Sequence, residues 1–226
     1  KPWPIAFTLT FLSSTLAVSG SIHGSSGEVM FGLGTENLQE FARLLQTKVP
    51  DAGASGIAGN VAFAPRRVAI TNLTGAMGNT TLIGALDFDA TGPKPKLSGS
   101  LALPTLDLRP FLGEKPAQGN IEPPRSLAEL YRSLSVTTFD FRKLNNVDAD
   151  ITLGVGRWLS LPGDAKDVTL QIKLKDGMLQ APVKASITGV SLSGTARADG
   201  NASPPRFDLA LGTQDSDLGG LAELLL

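Results

Sequence analysis

Apolar and polar residues alternate without a break from Val168 to Lys175. Val168, Leu170, Ile172 and Leu174 share one side of an extended strand, and Thr169, Gln171, Lys173 and Lys175 share the other. The same period of two runs through Ile5, Phe7, Leu9 and Phe11, and through Leu82, Leu86 and Phe88 set against Asp87 and Asp89. It returns in Ile151, Leu153 and Val155, and in Val190, Leu192 and Ala196 set against Arg197 and Asp199. The pattern predicts roughly a dozen strands, each with one greasy and one wet side. Turn chemistry separates them, in Thr91 to Pro95, Lys175 to Gly177 and Ala198 to Pro205, so the expected order is an antiparallel meander.

Helical periodicity is confined to three short segments. Leu38, Phe41, Leu44 and Leu45 share one face of a helix, and so do Leu127, Leu130, Tyr131 and Leu134 behind a Ser126 cap. A weaker third covers Asp217 to Leu226. Three helices cannot cover a dozen strands.

The strands repeat. Shifted by 110 residues, Val68 to Asp89 lies on Met178 to Asp199 without a gap, so that Leu82 meets Leu192, Gly84 meets Gly194 and Asp89 meets Asp199. The same shift lays Asp107 and Leu108 on Asp217 and Leu218. A shorter copy starts near Ile5, sets Gly20 opposite Gly84, and closes with Thr35, Asn37, Leu38 and Phe41 answering Thr105, Asp107, Leu108 and Phe111. Such an ending suits a strand-to-helix junction, where Thr, Asn or Asp caps the free amides and the following Leu and Phe dock the turn. The expected organisation is a single β-rich segment of a larger chain, with repeats at about 1–47, 56–112 and 136–226 and a Pro/Gly-rich connection at 113–125. Units of this kind stack side by side and share one continuous apolar surface.

Composition narrows the function classes. With 42% apolar residues the chain folds, and 20 Lys and Arg against 21 Asp and Glu leave no field that attracts nucleic acid. The absence of Cys excludes disulfides, thiolate zinc and a Cys nucleophile. No window reaches the roughly 20 apolar residues of a spanning helix. The start at Lys1-Pro2-Trp3-Pro4, with neither Met nor signal peptide, reads as an excerpt from a longer protein.

Candidate chemistry is sparse. His23, the one histidine, lies near Ser25 and Ser26, but small turn residues around it make an exposed turn position the simpler reading than a nucleophile and base. The carboxylate pairs Asp87 and Asp89, Asp148 and Asp150, and Asp215 and Asp217 are too few in any one place for a hard cation, and fit solvated strand faces. The Gly-rich runs at Gly32 to Asn37 and Gly154 to Gly156 lack the Lys or third Gly that phosphate cradling needs. Trp3 and Trp158 read as residues packed at sheet ends, and the acceptor motifs at Asn72 and Asn79 carry meaning only in a glycosylating host. No catalytic, cofactor or metal residue is assigned, and the chain reads as non-enzymatic.

Two stretches carry a resemblance. Gly84 to Leu112, with its G-x-L-x-F-D-x-x-G-x-x-P-x-L-S-G-x-L-x-L-x-x-L-D-L-R-P-F-L pattern, and Leu144 to Val183 resemble the AsmA family, in the C-terminal part of its periplasmic region. The resemblance implies a curved, elongated sheet with a greasy side, projected into the periplasm from an inner-membrane tether that these residues do not include. It also implies a part in outer-membrane biogenesis, by carrying phospholipid between the membranes of the cell envelope. On that reading the groove-lining residues are Leu82, Leu86, Phe88, Leu97, Leu101, Leu103, Val168, Leu170, Ile172, Leu174 and Leu192, and the ligand is phospholipid acyl chains. The competing expectations are the core face of an ordinary sandwich and a protein-interaction module with a sealed core and no ligand.

Overall fold

The computed structural model describes residues 1–40, 53–107, 145–159, 165–187, 189–202 and 206–214. The strands are β1 (Trp3–Phe11), β2 (Ser14–His23), β3 (Ser26–Thr35), β4 (Ser55–Ala64), β5 (Arg67–Met77) and β6 (Thr80–Asp89). They continue as β7 (Lys96–Leu106), β8 (Asp148–Trp158), β9 (Ala165–Lys175), β10 (Met178–Ile187), β11 (Val190–Asp199) and β12 (Arg206–Gln214). All twelve belong to one open, curved sheet and lie in it in chain order. At about 4.8 Å per strand the sheet is about 50 Å wide, and its strands are about 30 Å long.

The antiparallel meander holds on both sides of a single exception. β7 and β8 pair in parallel, from Lys96 beside Asp148 to Leu106 beside Trp158. A parallel seam cannot be closed by a hairpin, because the chain leaves at one end of the sheet and re-enters at the other. The long span between Leu106 and Asp148 is what allows that return.

Of the three expected helices, the first begins in place, with residues 38–40 helical and the Asn37 Oδ1 accepting the Glu40 amide at 3.1 Å. This is the N-cap that the ending around Thr35 and Asn37 predicts. The segments around Leu127 to Leu134 and Asp217 to Leu226 lie outside the described residues, as do 113–125 and the Asp215 and Asp217 pair. At the equivalent ending, Asp107 is buried and locked differently: its amide donates to the Thr80 hydroxyl at 2.9 Å, and the Thr80 hydroxyl lies 3.3 Å from the Asp107 carbonyl.

Register assigns every strand's residues to a face. Phe7 pairs with Val18, Val18 with Phe31, and Val29 with Val61, which pairs with Ile70. Ile70 pairs with Leu86, Gly84 with Leu101, Leu101 with Leu153, and Leu153 with Leu170. Partners in register point to one side, so these pairs trace a single apolar face across the sheet. The opposite face carries small and polar residues such as Ala17, Ser19, Ala58, Asp87, Ser98, Asp150 and Lys173.

One bulge keeps β5 on this pattern. Ile70 pairs with Leu86 and Leu73 with Gly84, so β5 carries one residue more than β6 there, and Asn72 takes a left-handed φ of 51°. Past Asn72 the parity switches, and Leu73, Gly75 and Met77 join Val68 and Ile70 on the apolar face. Asp167, with φ of 50°, marks the corresponding irregularity in β9, beyond which Ala165 packs against Ile187, beside Trp158, Ala185 and Leu192. Trp158 therefore packs at the sheet end as expected, whereas Trp3 is 76% exposed.

Strand boundaries recur with the sequence shift. Ser55 and Ala165, Thr80 and Val190, and Lys96 and Arg206 open their strands, each pair 110 positions apart. The turn after β6 is held by the Asp89 carboxylate accepting the Thr91 amide at 2.8 Å, and the turn after β11 by Asp199 accepting the Asn201 amide at 2.9 Å, at the same spacing. Gly20 and Gly84 also share an environment. A Cβ on Gly20 would lie 2.1 Å from the Glu28 carbonyl oxygen, and one on Gly84 would lie 2.3 Å from that of Ser100, so each lets the next strand approach closely.

Candidate functional site

The candidate site is the apolar face itself. All eleven residues expected along a groove lie on it: Leu82, Leu86 and Phe88 on β6, Leu97, Leu101 and Leu103 on β7, Val168, Leu170, Ile172 and Leu174 on β9, and Leu192 on β11. Register brings Phe88 beside Leu97 and Leu101 beside Leu153. The face extends further than the expectation did. Val18, Val29, Phe31, Val61, Ile70 and Leu73 continue it through β2 to β5, where glycines interrupt the alternation in sequence and weaken the signal.

Among the described residues there is one sheet, and no second sheet faces it. Only nine apolar side chains are buried among the described residues, and all but Leu73 belong to β8 to β11. Val155, Val168 and Leu174 are 3%, 6% and 5% exposed, whereas Phe7 and Leu9 are each 52% and Phe88 is 40% exposed. The apolar face is therefore most shielded around Val155, Val168 and Leu174 and most open at Phe7, Leu9 and Phe88, while the residues between them, such as Phe31, Ile70, Leu153 and Leu170, are half-buried. Its side chains offer no directional polar partner, so its chemistry is contact with another apolar surface.

The polar groups are accounted for by turns and ladders. Arg67 and Asp87 form an ion pair at 2.8 Å, and hydrogen bonds from the Thr91 hydroxyl and amide hold Asp89 below the usual aspartate range. The Ser26 hydroxyl donates to the His23 carbonyl at 3.0 Å, which directs it to backbone and away from the imidazole. No group of three or more metal-ligating side chains occurs among the described residues. Shallow depressions on the first five strands are bounded largely by small side chains such as Ala6, Ala17 and Ala58, with Met30 and Asn60.

A charged clamp ties the parallel seam at its entry. Lys94, in the turn before β7, lies 2.6 Å from Asp176 Oδ1 and 3.5 Å from Asp148 Oδ1, and the Asp176 amide donates to Asp148 at 3.1 Å. The Asp148 amide donates to the Pro95 carbonyl at 2.9 Å, so one cluster joins the start of β8 to the turns on both of its sides. Hydrogen bonding from Lys94, then its charge, lowers the Asp176 pKa below the usual value; bonding to Asp176 first, then the Asp148 charge, raises that of Lys94. A depressed carboxylate stabilises fully above its unfolded pKa of about 4, and the contribution is lost as pH falls through the folded value. The raised Lys94 contributes fully below its unfolded pKa and loses its contribution as pH rises through the folded one. Melting curves should show Lys94→Met slightly less stable than the parent at neutral pH, with the difference vanishing at the acid limit and shrinking in high salt. A difference unchanged by acid and salt would mean that the clamp acts through packing alone.

No protein-family model, no curated protein and no solved structure matches this chain.

Proposed function

We propose that this protein is a periplasmic segment of an AsmA-like envelope protein, and that its apolar face carries phospholipid acyl chains between the inner and outer membranes. The observation that carries the reading is the continuity of that face. Eleven seams run from β1 to β12, and the apolar rows stay on one side across them, with bulges inserted where parity would otherwise fail. A globular core needs no such extent in one direction, whereas a sliding apolar ligand does.

Acyl chains suit the face energetically. Each buried methylene is favourable by about 0.8 kcal/mol relative to water, but a bilayer offers about the same. Exchange between membrane and face is therefore nearly balanced, and a conduit requires this so that its cargo can leave. The resemblance of Gly84 to Leu112 and Leu144 to Val183 to the AsmA family supports the same assignment, including an inner-membrane tether and a non-enzymatic role in outer-membrane biogenesis.

The test is native mass spectrometry of protein purified from bacterial envelopes, followed by solvent extraction and lipid analysis. Phospholipid retained at defined stoichiometry is the expected result. A lipid-free protein that also fails to take up fluorescent phospholipid from vesicles would overturn the proposal. The alternative, a sealed structural module, draws support from the shielded Val155, Val168 and Leu174 on β8 and β9.

A further inference from the structure

We propose that the strand ends from β5 to β9 form a headgroup rail: a row of alternating charge that seats the phosphate and ammonium of a zwitterionic phospholipid whose chains lie on the apolar face. The inference rests on the lipid reading. It adds which end of the strands the heads occupy and which class of head they carry.

Strand boundaries define the row. At one end of the sheet β5 begins on Arg67, β6 ends on Asp89, β7 begins on Lys96, β8 begins on Asp148 and β9 ends on Lys175. Register sets them side by side: Arg67 pairs with Asp89, Asp89 with Lys96 and Lys96 with Asp148, and Lys175 follows the Ala149 and Leu174 pair. The signs run plus, minus, plus, minus, plus. At the other end the same five strands stop on Met77, Thr80, Leu106, Trp158 and Ala165, none of them charged. Near that end Arg157 and Lys166 pair in register as like charges, so no alternation is set up there. Charge also fades away from the row: two rows in along the polar face, Ala85, Ser100, Thr152 and Gln171 pair in register and none is charged.

Cross-strand pairing accounts for part of such a row, because opposite charges in register stabilise a sheet. It does not use the charges up. Among the described residues the ion pairs at this end are Arg67 with Asp87, and Lys94 with Asp148 and Asp176. Asp89 turns to the Thr91 amide and hydroxyl, and Asp148 also accepts the Asp176 amide. Lys96 stands between two carboxylates in register and is bridged to neither, and Lys175 has no ion pair among the described residues. A row of both signs, with cations left over from internal pairing, matches a ligand that itself carries both signs.

Spacing and position fit such a ligand. Adjacent strands lie about 4.8 Å apart, a step comparable to the two-carbon bridge that separates phosphate from ammonium in an ethanolamine or choline head. Alternation cancels the long-range field, so the row favours a head of both signs over an anionic one. On the opposite side, one residue further in, Val68, Phe88, Leu97, Ala149 and Leu174 pair in the same order and form the last row of the apolar face. Val68 and Phe88 are 37% and 40% exposed, so that row is open where it meets the charged one. A chain one leaflet deep, about 15 Å, runs from there to the middle of a strand about 30 Å long while its head stays in water at the charged end.

The test offers the protein equimolar mixed vesicles of phosphatidylcholine and phosphatidylglycerol with identical chains, and measures the ratio of the two lipids extracted with it. The parent should retain the choline form about threefold over the glycerol form at low salt, the scale of one exposed ion pair, and the ratio should fall towards one in high salt. A double variant, Asp89→Lys with Lys96→Asp, keeps the net charge and the opposite-charge pair but orders the signs plus, plus, minus, minus, plus. It should retain both lipids equally, with its melting curve showing that it is folded, and the milder Lys96→Gln should lower the ratio in the same direction. A parent that retains the two equally, or prefers the glycerol form, overturns the headgroup rail and leaves the conduit standing. So does a folded double variant, or a Lys96→Gln variant, whose preference equals the parent's. A parent that retains neither lipid overturns the conduit reading itself, and the rail with it.

Discussion

Placing a carboxylate on the apolar face should strip bound phospholipid, and placing one on the other face should not. Phe88→Glu and Phe7→Glu are expected to lower retained lipid tenfold or more, whereas Ile83→Glu leaves it within error of the parent. Phe88 and Phe7 lie on the apolar face and are 40% and 52% exposed, and Ile83, at 48%, lies on the polar face in register with Ala102. Exposure is thus matched and only the side of the sheet differs. A charge set against acyl chain costs about 2.5 to 3.5 kcal/mol where water is excluded, and part of that at these half-open positions, which still exceeds tenfold. All three sites are solvent-accessible, so none of the substitutions buries a charge in the folded, unliganded protein. Equal loss from all three variants, or no loss from any, would separate lipid association from the apolar face and remove the basis of the conduit.

The sidedness that this comparison exploits was legible in sequence wherever alternation was unbroken. Val168 to Leu174 and Leu82 to Phe88 predict their shared face directly, since a strand leaves only two sides and apolar residues occupy one. The region from Ser14 to Val61 was less legible, because Gly20, Gly27, Gly32 and Gly59 fall on or between its rows, and a glycine has no side chain to declare a face. Pairing partners settle what composition could not: Gly59 lies opposite Phe31, and Gly20 between Ile5 and Val29.

The parallel seam was not legible at all. Nothing in Lys96 to Leu106 or Asp148 to Trp158 distinguishes a parallel from an antiparallel neighbour, because both put alternate residues on the same side. The decisive variable is where the chain re-enters the sheet, and that depends on the intervening connection. Its consequence is nevertheless large: with an antiparallel seam at that point, every strand from β8 to β12 would run the opposite way.

Replacing Asn72 by valine should destabilise the sheet by about 1 to 2 kcal/mol, with a melting temperature lower by about 5 °C, while Asn72→Gly should be nearly neutral. Asn72 is exposed, and a surface side chain changed on a strand would ordinarily matter little, with valine if anything favoured there. Its backbone, however, is the extra residue by which β5 exceeds both neighbours, since Asn60 pairs with Thr71 and Ala58 with Thr74 on one side while Ile70 and Leu73 span Leu86 to Gly84 on the other. Were Asn72 to run extended and take a place in the ladder, alternation would continue unbroken from Ile70 and turn Leu73 and Met77 to the polar face, bringing Thr74 and Ala76 among the apolar rows. Leu73 is 5% exposed, so its burial is worth about 2 to 3 kcal/mol, and Met77 adds a smaller share because it is only half-buried. That loss exceeds the strain of a left-handed residue, so valine is held at the φ of 51° with its Cβ penalty, which glycine does not carry. Deleting Asn72 removes the bulge and keeps the faces, because Leu73 stays opposite Gly84, so the deletion should cost less than a flipped strand would. Comparing the melting curves therefore isolates parity from side-chain chemistry. An Asn72→Val variant as stable as the parent would mean that β5 sheds its bulge freely, and with it that one continuous apolar face is not what the bulge preserves.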